Sequence, residues 1–130
     1  MKVSIITITY NSEATLKDTI ESVVNQSYGD IEYIIVDGKS TDNSLSIIES
    51  YKDKISKVIS EKDQGLYDAL NKGIALATGD LIGIIHSDDF YTNKFVIEKI
   101  VKSIEENNSD AVYADLYYVD KVDTNKIFRK

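Results

Sequence analysis

The chain has 130 residues, which is the length of one domain with a substantial core. A net charge of −7 argues against a nucleic-acid binder and against adsorption to anionic lipid, and the lack of cysteine excludes disulfide scaffolds, thiolate zinc sites and cysteine nucleophiles. The N-terminus lacks the apolar core of a signal peptide and no apolar run approaches the length of a transmembrane segment, so the sequence predicts a cytoplasmic protein.

The first half of the chain alternates strand and helix patterns. The β-branched run Val3–Thr9 predicts a strand, and Ser12 is the predicted N-cap of the helix that follows. Residues 33–36 predict a second strand, apolar throughout and therefore covered on both faces, and residues 55–60 predict a short third strand. Between these two strands, the spacing predicts a helix with an inward face of Leu45, Ile48 and Tyr51.

The second half continues the alternation. Residues 81–85 predict a buried strand, and Asn93 is the predicted cap of a helix that ends near residues 107–108. Before that strand, the spacing predicts a helix with apolar positions Leu66, Leu70, Gly73, Ile74 and Ala77. Short strands are predicted at residues 111–114, 117–119 and 126–128. This order predicts one α/β domain, residues 1–130, with a mostly parallel sheet and helices on both faces.

Two adjacent carboxylates, Asp88 and Asp89, follow the apolar strand at residues 81–85. Like charges side by side repel each other, and a divalent cation such as Mg²⁺ or Mn²⁺ relieves the repulsion. Hard cations often take one or two carboxylates together with substrate phosphates, so a metal–diphosphate site is one interpretation. Acidic residues also precede helices, where they complement the N-terminal dipole, and on spacing alone this second interpretation is equally good.

The predicted topology favours the metal interpretation. In parallel α/β sheets, ligands bind beyond the carboxyl ends of the strands. Three polar segments follow predicted strands and therefore meet at that edge, namely residues 9–11, 37–38 and 88–89.

Other nucleotide and phosphate sites do not match these residues. A phosphate loop needs a glycine five positions before its Gly-Lys pair, and Tyr33 occupies that position relative to Gly38 and Lys39. A receiver domain needs carboxylates after the first strand, where this chain has Thr9 and Tyr10. A dinucleotide-binding fold needs a glycine-rich first turn, which is also missing.

Several candidate residues keep two interpretations at this point. Asp37 accepts a hydrogen bond from a base or forms an Asx turn with Gly38, and the turn is favoured. Tyr10 stacks on a base or packs on the first helix. His86 is a ligand, a proton donor or, as the favoured alternative, a strand residue that orients the site. Asp68 and Lys72, four residues apart, favour a surface ion pair.

The chain resembles family 2 glycosyltransferases, bacterial enzymes with the GT-A fold that build polysaccharides. The resemblance extends from Val3 to about Arg129 and depends on the order and spacing of several weak motifs. These motifs are Val3-Ser4-Ile5-Ile6 through Thr9-Tyr10-Asn11, Val36-Asp37-Gly38 with Ser40-Thr41-Asp42, the run from Asp63-Gln64-Gly65 to Lys72-Gly73, Ala77-Thr78-Gly79-Asp80, and Ser87-Asp88-Asp89.

The resemblance implies a Rossmann-like three-layer αβα sandwich that binds a nucleotide-sugar donor, usually a UDP-sugar, together with Mn²⁺ or Mg²⁺. Asp89 is then the direct metal ligand, and Asp88 lies near the metal or the ribose. Tyr10 borders the base, and Asp37 accepts a hydrogen bond from uracil N3–H. The implied nucleotide-binding set is Thr9, Tyr10, Asp37, Gln64, Asp68 and Asp88, with Gly65 also lining the donor pocket.

The implied reaction is an inverting transfer of the sugar to a saccharide or lipid-linked acceptor, at the inner face of the membrane if it is membrane-associated. Such a transfer needs a general base, which this family carries well downstream of the Asp pair. Four aspartates near the C-terminus are present, but none of them matches that position: Asp110, Asp115, Asp120 and Asp123. The sequence therefore predicts the nucleotide-binding half of a GT-A enzyme, truncated at its C-terminus and without its acceptor-binding half.

Two further expectations follow from the missing half. A non-catalytic nucleotide-sugar-binding or assembly module is the alternative function, whereas a nucleotidyl enzyme is disfavoured because Asn11-Ser12-Glu13 does not supply its glycine-rich loop. Apolar residues near the C-terminus predict a homodimer through that edge: Tyr117, Val119, Ile127 and Phe128.

Overall fold

Four parallel strands form the sheet in the computed structural model, which describes residues 1–107. The strands are β1 (Val3–Thr9), β2 (Ile31–Asp37), β3 (Lys57–Ser60) and β4 (Leu81–His86), and their order across the sheet is β3-β2-β1-β4. The helices are α1 (Leu16–Val24), α2 (Ser44–Ser50), α3 (Leu66–Leu76) and α4 (Val96–Asn107), with a 3-10 turn at Lys52–Lys54. The predicted parallel α/β sheet is confirmed for this part of the chain.

The register brings the carboxyl ends of the strands together. Thr9 pairs with Asp37, Asp37 pairs with Ser60, and Ile8 pairs with His86. Because all four strands run the same way, the loops that follow them lie at one edge of the sheet.

Two apolar layers cover the sheet. One face packs against α1, α2 and α4, and its buried side chains include Ile5, Leu16, Ile20, Tyr33, Ile35, Ile48, Ile97 and Val101. The other face packs against α3 through a smaller cluster of Ile6, Ile34, Val36 and Ala69. Six of the seven residues of β2 are buried, which confirms the prediction that this strand is covered on both faces.

The first helix begins later than predicted. Thr15 is the N-cap of α1, and the Ser12 hydroxyl instead contacts Tyr10 O and the Ser87 hydroxyl. Leu45 was expected to face inward but is 38% exposed, because the short helix α2 buries its Ser44 and Ile48 positions. The predicted third strand is also shorter, since pairing begins only at Lys57.

Helix α3 packs through only part of the face that its apolar pattern predicts. Ala69 and Gly73 are its buried residues, whereas Leu66 and Ile74 are 51% and 42% exposed. A Cβ atom at Gly73 would lie 2.6 Å from Cγ2 of Ile6, so the helix approaches the sheet too closely for a side chain there. Small residues rather than large ones therefore define the packed face.

Asn93 accepts a hydrogen bond from Phe95 N just before α4, a helix in which Ile97, Val101 and Ile104 are buried. None of the helices in residues 1–107 is long and apolar enough to cross a membrane. The strands predicted after residue 110 and the apolar edge predicted for dimerisation lie outside the described residues.

Glu32 joins the strands at the amino edge of the sheet, opposite the polar loops. Its carboxylate is 6% exposed and accepts hydrogen bonds from the Ser4 hydroxyl (2.7 Å) and from Thr78 N (2.9 Å). The Lys57 ammonium lies 3.1 Å away and that of Lys2 3.8 Å away. Burial by itself would raise the pKa of Glu32, but hydrogen bonds from Thr78, Ser4 and Lys57 outweigh it and lower the pKa to about 2.

We expect Glu32→Gln to reduce the free energy of unfolding at pH 7 by about 1–3 kcal/mol, because two lysines lose their buried counter-charge. The pKa of Glu32 is lower in the folded than in the unfolded chain. Its stabilisation is therefore complete above about pH 4.5 and lost as the pH falls towards 2.

Urea unfolding of both proteins between pH 7 and pH 2 measures this difference, which should shrink below pH 4.5. Glu49→Gln is the matched control, because Glu49 forms an exposed ion pair with Lys52. That control should change stability by less than about 0.5 kcal/mol. A Glu32→Gln effect that stays constant over the whole pH range would contradict the assignment.

Gly73→Ala should destabilise the fold by about 1–3 kcal/mol, because the added methyl group would overlap Ile6 and push α3 off the sheet. A glycine-to-alanine substitution in an exposed part of a helix normally stabilises the helix. The sign of the stability change therefore shows whether α3 is packed closely on the sheet at Gly73. Thermal unfolding followed by circular dichroism measures it. An increased melting temperature would show that α3 is not tightly packed at this point.

Candidate functional site

A cleft of about 520 Å³ lies at the carboxyl end of the sheet. Its walls come from the end of β1, the turn after β2, the β3–α3 loop and the first residues of α3. The lining residues are Ile8, Thr9, Tyr10, Gly38, Lys39, Lys62, Asp63, Gly65, Leu66 and Ala69. The cleft therefore lies where the parallel topology predicts a ligand site.

Tyr10 and Thr9 give this cleft an aromatic surface and a polar atom. Tyr10 is 60% exposed, so one side of its ring is available for stacking rather than packed on α1. The Thr9 hydroxyl is buried at the end of β1 and has no hydrogen-bond partner within residues 1–107. A buried hydroxyl that lines a cleft is well suited to a ligand contact.

The loops after β1 and β2 are fixed to each other by Asn11. Its backbone has φ of 47°, a left-handed conformation that asparagine tolerates better than most residues. Asn11 N donates to the Ser40 hydroxyl (2.8 Å), and Asn11 Oδ1 accepts from Thr41 N (2.7 Å). The Tyr10 wall is thereby held in place without a ligand.

Asp37 lies behind the cleft rather than on its surface. The residue is fully buried, and its carboxylate accepts hydrogen bonds from Ser40 N (2.9 Å), the Ser40 hydroxyl (2.5 Å) and the Ser60 hydroxyl (2.8 Å). The bond from Ser40 N closes a turn around Gly38 and Lys39 that is one residue longer than the Asx turn that the sequence favours. Contact between Asp37 and a base stays a prediction.

Two lysines give the cleft a local positive charge in an acidic chain. Lys39 and Lys62 both line it, and both are exposed. Lys39 has φ of 66°, which is unusual for a residue with a long side chain and is set by the turn that Asp37 organises. The cleft therefore suits an anionic ligand despite the net charge of the protein.

The β3–α3 loop is held by Lys72 and Asp68. The Lys72 ammonium contacts Asp63 (2.7 Å), Glu61 (3.1 Å) and Asp68 (3.5 Å). The hydrogen bond to Asp63 raises the pKa of Lys72, and the hydrogen bond from Gln64 N lowers the pKa of Asp68. The expected Asp68–Lys72 pair exists, but Lys72 is only 19% exposed and binds the loop more closely than Asp68. Gln64 and Asp68 are not among the lining residues of the cleft.

The Asp pair lies beside the cleft, after β4. Asp88 is exposed and Asp89 is half-buried. The Ser12 hydroxyl, in the loop after β1, lies 2.8 Å from the Ser87 hydroxyl and so joins this segment to the cleft. The Thr15 hydroxyl donates to Ser87 O (2.8 Å).

Thr19 provides the deeper support for the pair. Its buried hydroxyl lies 3.0 Å from Ser87 O and 2.5 Å from Asp89 O, so α1 holds the backbone on which both carboxylates are placed.

The donor set at this position is compatible with a hard cation that also binds phosphate. Within residues 1–107, no group of three or more His, Asp or Glu side chains forms a complete metal cage. Two neighbouring carboxylates are the protein contribution that Mg²⁺ and Mn²⁺ commonly take alongside substrate phosphates. His86 is half-buried and lies on the α3 side of the sheet, on the same face of β4 as Ile82 and Ile84.

Sequence reasoning placed Gly38 at the ligand edge but did not select three charged residues that line the cleft, namely Lys39, Lys62 and Asp63. The available signal was topological, because the loop after the third strand shares the ligand edge with the loops after the first two.

The fold and this site define an α/β protein with a cleft at the carboxyl edge of its parallel sheet, and comparison with known proteins identifies the family. The model of glycosyl transferase family 2 matches residues 4–130, and the chain belongs to that family. The structural relatives are GT-A glycosyltransferases, so the predicted GT-A fold is confirmed.

A curated protein and a solved structure illustrate the relatives that exceed 30% identity to this chain. The PGL/p-HBAD biosynthesis glycosyltransferase of Mycobacterium bovis is 35% identical over 117 residues, which are 87% of this chain and 46% of the relative. S. aureus TarS 1-349 in complex with UDP-GlcNAc is 31% identical with a TM-score of 0.78, and the match covers 84% of this chain and 32% of the TarS 1-349 chain.

A more distant structure shares the fold. Glucosyl-3-phosphoglycerate synthase from Mycobacterium tuberculosis, in complex with Mn²⁺, UDP and glucosyl-3-phosphoglycerate, is 23% identical with a TM-score of 0.65 over 79% of this chain and 39% of its own. The present chain thus spans less than half the length of the relatives it matches.

Thr19→Val should weaken Mn²⁺-dependent nucleotide binding, because it removes the hydroxyl that holds the backbone of the Asp pair while keeping the shape of the side chain. The loss of a buried hydrogen bond should also reduce the unfolding free energy by about 1–2 kcal/mol. Titration calorimetry and urea unfolding measure the two effects. Thr19→Ser keeps the hydroxyl and is the control; equal binding by Thr19→Val and wild type would contradict this positioning role.

Proposed function

We propose that this domain binds the donor of a glycosyl transfer, a nucleotide-diphosphate sugar with UDP as its nucleotide. The proposed reaction moves the sugar with inversion to a saccharide or lipid-linked acceptor in polysaccharide biosynthesis. The observation that carries the proposal is the placement of a Tyr10-walled cationic cleft next to Asp88 and Asp89 at one sheet edge. The UDP-GlcNAc bound to TarS, a relative at 31% identity, supports the choice of nucleotide.

The nucleoside is proposed to occupy the part of the cleft nearest β1. The exposed ring of Tyr10 offers a stacking surface for the base, and the buried Thr9 hydroxyl offers a hydrogen bond. Asp37 shapes the turn beneath the base through Ser40. Asp68 fixes the loop that carries Gln64 by accepting a hydrogen bond from Gln64 N (2.9 Å).

The diphosphate is proposed to extend from the cleft towards the Asp pair. Lys39 and Lys62 offer positive charge along this side, and the N-terminus of α3 at Leu66 adds the positive end of a helix dipole. Asp89, with Asp88 beside it, would hold Mn²⁺ or Mg²⁺ where the diphosphate leaves the cleft. When bound, the cation supplies Lewis-acid stabilisation of the diphosphate as a leaving group.

The contribution of residues 1–107 to the reaction is therefore donor binding and orientation. An inverting transfer also requires a general base for the acceptor hydroxyl. The acidic residues after Asp89 that were considered for this role lie outside the described part of the chain. A non-catalytic module is the less favoured alternative, because the curated relatives are named as glycosyltransferases.

Titration calorimetry of the purified chain with UDP and Mn²⁺ tests the proposal. Wild type should bind UDP more tightly with Mn²⁺ than with EDTA, and Asp89→Ala should lose at least about tenfold of the metal-dependent affinity because a hard-cation ligand is removed. The proposal would be contradicted if the wild type did not bind UDP, or if Mn²⁺ increased the UDP affinity of Asp89→Ala as much as that of the wild type.

Asp53→Ala provides the matched control. Asp53 is an exposed aspartate in the turn before β3, at the opposite edge of the sheet from the cleft. It should bind UDP and Mn²⁺ as the wild type does. A donor-hydrolysis assay with UDP-GlcNAc then separates an enzyme from a binding module, since turnover by the purified chain rules the module out.

A further inference from the structure

Phe90 is an exposed aromatic side chain that the proposed donor contacts do not use. It follows Asp89 directly, is 54% exposed and is not one of the described residues that line the cleft. A single exposed apolar side chain is common on protein surfaces and by itself indicates no site. What distinguishes Phe90 is the way in which the backbone around it is held.

The backbone is fixed on both sides of Phe90. Asp89 N donates to His86 O (3.0 Å), and Asp89 O lies 2.5 Å from the Thr19 hydroxyl of α1. Tyr91, the next residue, is buried and belongs to the core on the α1 side of the sheet. Phe90 is therefore displayed to solvent between a fixed peptide group and a core residue.

The segment after β4 runs along α1, away from the cleft. Ser87, its first residue, contacts Ser12 in the loop before α1. Asn93 O, near its other end, accepts a hydrogen bond from the Gln26 side chain (2.8 Å), which lies beyond the last residue of α1. The Asp pair comes near the start of this path and Phe90 comes next, so Phe90 lies beyond the Asp pair as seen from the cleft.

This order specifies the kind of group that reaches Phe90. A nucleotide diphosphate that extends from the cleft to a cation at the Asp pair carries its sugar beyond the cation, and the acceptor approaches that sugar. A pyranose ring presents C–H groups on its faces, and these carry a partial positive charge. The face of a phenyl ring carries a partial negative charge, so the two faces attract each other.

We propose that Phe90 is a specificity-determining residue that stacks on the C–H face of a pyranose ring, either in the acceptor or in the sugar of the donor. This inference rests on the proposed glycosyl transfer and adds a sugar contact to it. The phenyl ring forms no hydrogen bonds of its own, so it selects sugars by the shape of one face. An axial hydroxyl on that face would hold the sugar away from the ring.

Saturation-transfer NMR tests the acceptor as the source of the stacked sugar. The probes are the methyl glycosides of glucose, galactose, mannose and N-acetylglucosamine, with UDP and with Mg²⁺ because Mn²⁺ is paramagnetic. At least one glycoside should receive saturation from aromatic protons of the wild type. Phe90→Leu keeps an apolar side chain without an aromatic face and should weaken that glycoside at least about threefold, whereas Phe90→Tyr should keep its affinity.

Titration calorimetry with UDP, UDP-glucose and UDP-GlcNAc tests the donor as the source. If the stacked sugar belongs to the donor, Phe90→Leu should weaken a UDP-sugar at least about threefold relative to UDP and leave the glycosides unchanged. An equal loss for UDP and both UDP-sugars overturns the inference, because Phe90 would then act on the nucleotide or the cation.

Phe95→Leu is the matched control. Phe95 is also an exposed phenylalanine, but it lies at the far end of the segment, where the Lys94 ammonium is 5.3 Å from the centre of its ring. This variant should keep all the wild-type affinities. A loss as large as that of Phe90→Leu would show that the effect does not depend on the place beside the Asp pair, and would overturn the inference.

The outcomes separate this inference from the proposed function. A wild type that binds UDP, together with a Phe90→Leu protein that binds every glycoside and UDP-sugar as the wild type does, overturns the inference alone. Failure of the wild type to bind UDP overturns both.

Discussion

The parallel register of the four strands is the constraint on which the rest of the structure depends. Thr9, Asp37 and Ser60 are paired neighbours across three strands, so residues far apart in sequence reach the same edge of the sheet. The same register brings the end of β4, and with it Asp88 and Asp89, beside β1. An antiparallel arrangement of the same strands would place these groups at opposite edges.

The buried carboxylates have different surroundings at the two edges of the parallel sheet. At the amino edge, Glu32 is enclosed by two hydroxyls and two lysines and has a structural role. At the carboxyl edge, Asp63 is held by Lys72 and lies close to Gly38 in the wall of the cleft. Both are largely buried carboxylates, and only their surroundings distinguish a group that joins the strands from a group in the wall of a cleft.

The candidate site is supported mainly from outside its own strands. Thr15 and Thr19 of α1 hold the segment that carries the Asp pair, Asn11 joins the loops after β1 and β2, and Lys72 holds the loop after β3. Each support is a side chain that forms hydrogen bonds across loops. This arrangement fixes the cleft before a ligand arrives, which reduces the ordering that binding requires.

The sequence by itself determined the strands, the parallel class of the sheet and the family, because apolar runs, strand–helix alternation and motif order are local or sequential properties. It also indicated Tyr10 and the Asp pair as residues at the ligand edge. Only the tertiary structure decided that α3 packs through Ala69 and Gly73 rather than Leu66 and Ile74, since the closeness of helix and sheet depends on Ile6. It likewise decided that Asp37 is enclosed while Asp63 faces the cleft, because the partners of a carboxylate come from loops distant in sequence.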